Sequence, residues 1–139
     1  MTTVYVVTAA GAGLGGAGVA GAAVLGGATV LVNVTNDAWF GNTVAPYQHL
    51  AMARLRSVEM RRPMIRAANS GISALIDSRG RIVASEGLFR KGVVVGDIRP
   101  GTDRTLYAKT GNLFGIFCII ISFSALLTPM RGRHGFRIF

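Results

Sequence analysis

Cys118 is the single cysteine of this 139-residue chain and the first side chain to consider as a nucleophile. It lies in the apolar run 113–127, which contains no base and no positive charge that could favour a thiolate. A buried thiol in such surroundings behaves as a small hydrophobic group. We therefore expect Cys118 to be inert, and a lone cysteine excludes an intrachain disulfide.

A glycine pattern near the start of the chain is the second candidate for chemistry. Residues 11–16 read Gly-Ala-Gly-Leu-Gly-Gly, which fits the G-x-G-x-x-G turn of dinucleotide-binding proteins, with Asp37 at a suitable distance downstream. Residues 4–28 are mostly glycine and alanine, so chance matches are common and a helix there would be weak. Three interpretations stay open: a dinucleotide turn, a membrane span packed through small residues, or a shifted reading frame that is not the native partner of residues 27–139.

The elements that would position polar side chains become readable from residue 29. Residues 29–35 are rich in β-branched side chains and predict a buried strand. Residues 45–62 predict a helix that ends before Pro63, with Tyr47, Leu55 and Val58 on its apolar stripe and His49 opposite. Further strands are predicted at 64–68, 72–76, 81–85 and 93–95, with a hairpin turn at 77–80. This is an α/β arrangement with too few elements to close its own core.

Residues 110–130 carry no charge and contain the apolar run around Cys118. A helix of that length spans roughly 30 Å, which is the thickness of the hydrocarbon core of a bilayer. We predict one C-terminal transmembrane helix over 110–130, with a buried core helix or strand as the alternative. The basic tail 131–139 favours a cytoplasmic C-terminus, although Arg99, Arg104 and Lys109 flank the other end.

The net charge of +9 does not by itself indicate nucleic-acid binding. Residues 1–36 carry no charged side chain, and of the 15 basic residues only Lys91 and Lys109 are lysines. A GC-rich genome produces such an arginine bias as readily as a binding function does. The mean hydropathy of +0.46 instead directs attention to a membrane.

A specific motif occupies residues 33–41, Asn-Val-Thr-Asn-Asp-Ala-Trp-Phe-Gly. It is followed by Gln-His at 48–49, Met-Ala-Arg-Leu-Arg-Ser-Val-Glu at 52–59, Arg-Pro at 62–63 and Arg-Ala-Ala-Asn-Ser-Gly-Ile-Ser-Ala at 66–74. Together these residues resemble the second half of the catalytic domain of the apolipoprotein N-acyltransferase family, within the carbon-nitrogen hydrolase (nitrilase) superfamily. The resemblance runs from residue 27 to about residue 127 and leaves residues 1–26 without a match.

The resemblance implies the C-terminal part of a nitrilase-like αββα sandwich over 27–109, followed by the transmembrane helix and the basic tail. It also implies transfer of an acyl chain from a membrane phospholipid to the amine of a lipoprotein. The expected location is the bacterial inner membrane, with the domain on the periplasmic side. No cofactor, metal or nucleic-acid partner is implied.

The family's catalysts are a glutamate base, a lysine and a cysteine nucleophile that forms a thioester. The glutamate and the lysine precede the part that matches here. The cysteine motif would fall near residues 11–13, where this chain has Gly-Ala-Gly. The resemblance therefore implies that the chain is inactive alone.

The residues that match the family could still shape a substrate cleft. The candidates are Asn36, Asp37, Trp39, Phe40, His49, Glu59 and Asn69. Several have simpler interpretations: Trp39 could be a packing aromatic, Glu59 an ion-pair partner of an arginine, and His49 a residue that orders the start of the helix. Asn69 could serve a tight turn with Gly71. An alternative function is a membrane-tethered interaction protein that binds anionic lipid through Arg54, Arg56, Arg61, Arg62 and Arg66.

Overall fold

A computed structural model describes residues 4–6 and 14–127 of the chain. Within these residues five strands lie side by side in chain order: β1 (Val4–Val6), β2 (Val30–Asn36), β3 (Met64–Asn69), β4 (Ser73–Ile76) and β5 (Ile82–Glu86). The helices are α1 (Leu14–Leu25), α2 (Ala45–Met60), α3 (Leu106–Thr110) and α4 (Leu113–Leu127), with a 3-10 turn at Ala38–Phe40. The result is a mixed α/β fold, and it is consistent with a nitrilase-like sheet.

The first three strands run parallel and the last two antiparallel. Parallel strands need crossover connections, which α1 and α2 provide. The hairpin of β4 and β5 turns at Asp77, whose Oδ1 accepts the backbone N–H groups of Arg79 and Arg81 at 2.9 and 2.8 Å. The predicted strands at 29–35 and 64–68, the helix at 45–62 and the hairpin are thus confirmed within one or two residues.

The core lies between the helices and one face of the sheet. Leu31 of β2 is paired in register with Met64 of β3, so both side chains point to the same face, and both are buried in the core cluster. On the opposite face Val34 is 54% exposed and Ile65 is 36% exposed. One face of the sheet is therefore covered, and the other is apolar and open toward the carboxyl ends of β2 and β3.

Helix α2 faces the sheet with a different side from the one that its apolar stripe predicts. Its buried residues are Pro46, Leu50, Ala53, Ser57 and Met60, whereas Tyr47, Leu55 and Val58 are exposed. His49 lies on the buried side because its ring contacts a buried carboxylate next to β2. The buried residues follow one regular helical stripe of mostly apolar side chains, so the stripe predicted from the sequence was the wrong one, and the contact of His49 lies on the buried side.

The glycine-rich segment forms α1, although its composition predicts a weak helix. Ala20 and Val24 are buried in the core, and a Cβ atom at Gly21 would lie 3.5 Å from the backbone oxygen of Ala108. Small side chains thus let α1 approach α3 closely, and tertiary packing outweighs the low helix propensity. A shifted reading frame before residue 27 would leave the strand that follows without a neighbour on that side, but β2 pairs with β1 as well as with β3.

The predicted strand at 93–95 is absent, and residues 91–100 form no regular element. Val93 and Val95 are 86% and 82% exposed. Gly96 instead lies against the side chain of Leu75, so this segment crosses the outer face of the hairpin without pairing. The three valines between Gly92 and Gly96 therefore stay outside the sheet.

The predicted helix over 110–130 begins later than expected. Gly111 has a φ of +57°, which ends α3, and α4 starts at Leu113. No helix within the described residues is both long enough and apolar enough to cross a membrane. The last three positions of the predicted span, 128–130, and the basic tail 131–139 lie outside the described residues.

Candidate functional site

The candidate site lies where β2 and β3 end side by side. Asn36 and Asn69 are register partners, and the Nδ2 amide of Asn69 donates to Oδ1 of Asn36 at 3.2 Å. The same oxygen accepts the backbone N–H of Ala38 at 3.1 Å, and the N–H of Asp37 donates to the carbonyl of Asn69 at 3.0 Å. The carboxyl edge of a parallel pair is a usual place for ligands, and this edge carries six of the seven predicted candidates.

Asp37 is the most constrained of these candidates, because both of its oxygens are bound and its side chain is 0% exposed. Nδ1 of His49 lies 2.8 Å from Oδ1, and Nη2 of Arg66 donates to Oδ2 at 2.8 Å. We call Asp37, His49 and Arg66 the carboxylate clamp. It ties the end of β2 to the first turns of α2 and to the middle of β3.

Arg66 was not among the predicted site residues, and the sequence carried a signal for it. An arginine inside the strand Met64–Asn69 is unusual, and here its side chain is fully buried, where Nε also donates to the carbonyl of Ile72 at 3.2 Å. Burial lowers the pKa of Arg66, and the charge and hydrogen bond of Asp37 act in the opposite direction. A buried arginine needs a paired carboxylate, and Asp37 supplies it.

Gly71 has no side chain, and this leaves room for the carboxylate of Asp37 in the carboxylate clamp. A Cβ atom at this position would overlap the carboxylate of Asp37, so no larger residue fits without displacing it. The predicted turn role of Gly71 is therefore combined with a close approach to Asp37.

The aromatic residues of the motif lie on the surface of the edge. Trp39 is 80% exposed, so it is not a packing aromatic in this structure. Phe40 contacts both neighbours edge-on, with ring centroids 6.2 Å from Trp39 and 6.1 Å from His49. The exposed face of Trp39 is available to a ligand or a lipid.

Glu59 is not brought to this edge. It lies ten positions after His49 on α2, about 15 Å along the helix axis. Its carboxylate pairs with Arg56 at 2.6 Å, which confirms the predicted ion pair. Burial raises the pKa of Glu59, and the charge of Arg56 partly offsets that effect.

The five arginines of the alternative function do not form one exposed surface. Arg66 belongs to the clamp, and Arg62 is buried, where Nε donates to the carbonyl of Ala28 at 2.6 Å and Nη1 donates to that of Asp103. Arg54 donates to the carbonyl of Gly80 at 2.7 Å. Two of the five are thus unavailable to a lipid surface.

No group of three or more histidine, cysteine or acidic side chains in the described part of the chain could hold a metal ion. The predicted dinucleotide turn begins at Gly11 and Gly13, which lie outside the described residues. Cys118 is free and exposed on α4 rather than buried, and α4 itself carries no charged side chain.

Comparison with known proteins shows what this chain is similar to. Residues 18–106 match the carbon-nitrogen hydrolase family, so the match begins inside α1, before the boundary predicted at residue 27. An apolipoprotein N-acyltransferase of Geobacter metallireducens is 47% identical over 93 residues, which are 67% of this chain and 18% of that protein. One of Bradyrhizobium diazoefficiens is 42% identical over 101 residues, and one of Allorhizobium ampelinum is 60% identical over 67 residues. The chain spans 18% of the length of the first two of these relatives and 13% of the third, with 73% of it aligned to the second and 48% to the third.

Proposed function

The chain belongs to the carbon-nitrogen hydrolase family, and from that premise we propose that it forms part of the substrate cleft of a membrane-bound N-acyltransferase. Such an enzyme would move an acyl chain from a phospholipid to the amine of a lipoprotein. The observation that supports this proposal most is the edge itself. Asp37, within the motif at 33–41, is held in the buried carboxylate clamp, and Trp39 is exposed two residues later. Both lie within residues 18–106, which match the carbon-nitrogen hydrolase family.

We also propose that the chain as it stands transfers no acyl group. The family's glutamate, lysine and cysteine have no counterpart in the part that matches, and Cys118 is exposed on an apolar helix without a base. The family's second sheet would cover the open face that carries Val34 and Ile65, because an apolar sheet face is stable when another layer buries it.

Helix α4 supports a membrane location for the proposed enzyme. Its described side chains are exposed on all sides, with the apolar residues Leu113, Phe114, Ile116, Phe117, Ile119, Ile120, Ile121, Phe123 and Leu126. A helix that is apolar all round is stable inside a protein core or inside a bilayer, and α4 does not contact the core cluster. We propose that α4 and the residues after it enter the inner membrane, with the domain outside and the tail in the cytoplasm.

Flotation with phospholipid vesicles tests this proposal. The full chain should float with neutral vesicles at low and at high salt, since apolar insertion does not depend on ionic strength. Ile120→Lys should abolish flotation, whereas Val95→Lys, at an exposed valine outside α4, should leave it unchanged.

Two results would count against the proposal. Flotation only with anionic vesicles and only at low salt would favour lipid binding through arginines. A reporter fused after Phe139 that is active only in the periplasm would refute the proposed orientation.

A further inference from the structure

The junction between α3 and α4 is held by hydrogen bonds and by core packing. The hydroxyl of Tyr107 donates to Oδ1 of Asn112 at 2.6 Å, just before α4 begins. Ala108 is buried in the core cluster, and the hydroxyl of Thr105 donates at 2.6 Å to the carbonyl of Glu59 near the end of α2. The start of α4 therefore has a fixed place on the folded domain.

Three exposed cations, Arg61, Arg104 and Lys109, lie beside this junction, and we call them the junction cations. Lys109 lies in the last turn of α3, four residues before α4 begins, which is at most about 14 Å of chain. Arg104 directly precedes the N-cap of α3. Arg61 caps the end of α2, and a Cβ atom at Gly101 would lie 2.6 Å from its carbonyl oxygen, so the loop that leads into α3 packs on it.

The charges of the junction cations are not neutralised by ion pairs. None of the ion pairs formed among the described residues involves them. Asp103 is the acidic residue beside them, and its charge acts on Arg62: burial lowers the pKa of Arg62, the charge of Asp103 opposes that effect, and the charge of Arg104 adds to it. One carboxylate thus stands against four cations, and this surface carries a net positive charge.

The proposed topology does not by itself account for cations at this end of α4. It puts α3 outside the cytoplasm, whereas the positive-inside rule explains basic residues on the cytoplasmic side. When α4 enters a bilayer, however, the residues just before it lie at the level of the lipid headgroups. Tyr107 suits that level, because its ring is apolar and its hydroxyl is polar.

We propose that the junction cations bind the phosphate groups of anionic phospholipids at the point where α4 enters the bilayer. The inference rests on the membrane location proposed above. Guanidinium and ammonium groups donate charge-assisted hydrogen bonds to phosphate oxygens, and all three side chains are exposed. Only Arg61 is shared with the five arginines of the alternative function, and here α4 supplies the anchor while the cations select the lipid.

Partitioning at a limiting amount of lipid tests this inference. The full chain is mixed with vesicles of phosphatidylcholine, with or without phosphatidylglycerol, and the ratio of the two partition coefficients is measured at low and at high salt. The parent should prefer the anionic vesicles, and the preference should fall at high salt because exposed charges are screened. Arg104→Gln and Lys109→Gln should each lower the ratio about fivefold, whereas Lys109→Arg should keep it.

Arg90→Gln and Lys91→Gln are the matched controls, because they remove the same charges from exposed positions at the other end of the sheet. Both residues follow β5, which runs in the same direction as β3 because each pairs antiparallel with β4. The junction cations instead lie near the start of β2, where Gly101 donates its N–H to the carbonyl of Thr29. The controls should leave the ratio unchanged.

Equal partitioning of the parent into both kinds of vesicle would overturn the inference. A loss in the controls as large as in Arg104→Gln and Lys109→Gln would also overturn it, because net charge alone would then set the preference. The glutamine variants change exposed side chains, so circular dichroism should show the unfolding midpoint of the parent, and if one variant does not fold the other decides.

The neutral vesicles separate this inference from the proposed function. A chain that floats with neutral vesicles and shows no preference for anionic ones refutes the inference alone. A chain that binds only anionic vesicles, and does so through the junction cations, refutes the proposed insertion of α4 and supports the junction cations as the lipid contact.

Discussion

At the scale of single residues, the carboxylate of Asp37 connects the motif at 33–41 to the rest of the fold. Its two oxygens bind side chains from α2 and β3, and all of its surface is withdrawn from water. A buried ion pair contributes little relative to an apolar replacement, but it is costly to break from one side. The clamp therefore makes the position of the edge sensitive to single substitutions.

Asp37→Asn should destabilise the fold by about 3–5 kcal/mol, because Arg66 would remain buried without a counter-charge. Urea unfolding followed by circular dichroism measures the change. The matched control is Asp97→Asn, at an exposed aspartate, which should stay within about 0.5 kcal/mol of the parent. Similar midpoints for both variants would contradict the buried ion pair.

Gly71→Ala should cost about 1–3 kcal/mol, since the new methyl group overlaps the carboxylate of Asp37. Gly87→Ala provides the comparison, because its Cβ would meet only the flexible side chain of Arg90 at 3.8 Å. Thermal unfolding of both variants is the measurement. A Gly71→Ala variant as stable as Gly87→Ala would show that the turn can move away from Asp37.

At the scale of elements, the sequence predicted the strands and the helix that carry the motif, but not how the helices pack. Alternation and β-branched residues sufficed for β2 and β3, and the turn residues at 77–80 sufficed for the hairpin. Helix α2 carries apolar residues on two stripes, and the packed structure shows that the stripe with Leu50 and Met60 is the buried one, whereas Leu55 lies exposed. In the same way, contacts with α3 stabilise α1, and the helix propensity of the local sequence does not predict those contacts.

Gly21→Ala should stabilise the domain by about 0.5–1 kcal/mol. The added methyl group would stand at ordinary contact distances of 3.5 and 3.9 Å from Ala108 and Met60, so it raises helix propensity without a clash. Urea unfolding again gives the value. No change would mean that α1 is not folded onto the rest, which is what a foreign N-terminal segment predicts.

Arg62→Met should loosen the segment that leads into α3. Arg62 donates to carbonyls of Ala28 and Asp103, and Gly101 donates its N–H to the carbonyl of Thr29 at 3.0 Å nearby. Loss of these bonds should cost about 1–3 kcal/mol and raise amide hydrogen exchange over residues 99–108. Arg99→Met, at an exposed arginine, is the control. Unchanged exchange in both variants would show that Arg62 does not hold this segment.

At the scale of the whole molecule, the chain is one helix-covered sheet with an open apolar face and an apolar helix that projects from it. The candidate edge could be predicted because the motif at 33–41 is specific, whereas Arg66 could not be placed without the register of β2 and β3. The two exposed apolar surfaces, the open sheet face and α4, are consistent with a chain that spans about a fifth of the length of its Geobacter metallireducens relative. In the proposed enzyme, a second sheet would bury the open sheet face, and the lipid bilayer would bury α4.

The most direct measurement is the intact mass of the vesicle-bound chain after incubation with phospholipid. We expect the protein to float with the vesicles and to keep the mass of the unmodified chain, because α4 is proposed to enter the bilayer and because the family's glutamate, lysine and cysteine have no counterpart in the residues that match the family. An acyl adduct on Cys118, seen as one added fatty-acyl mass, would contradict the account, as would a chain that never enters the vesicle fraction.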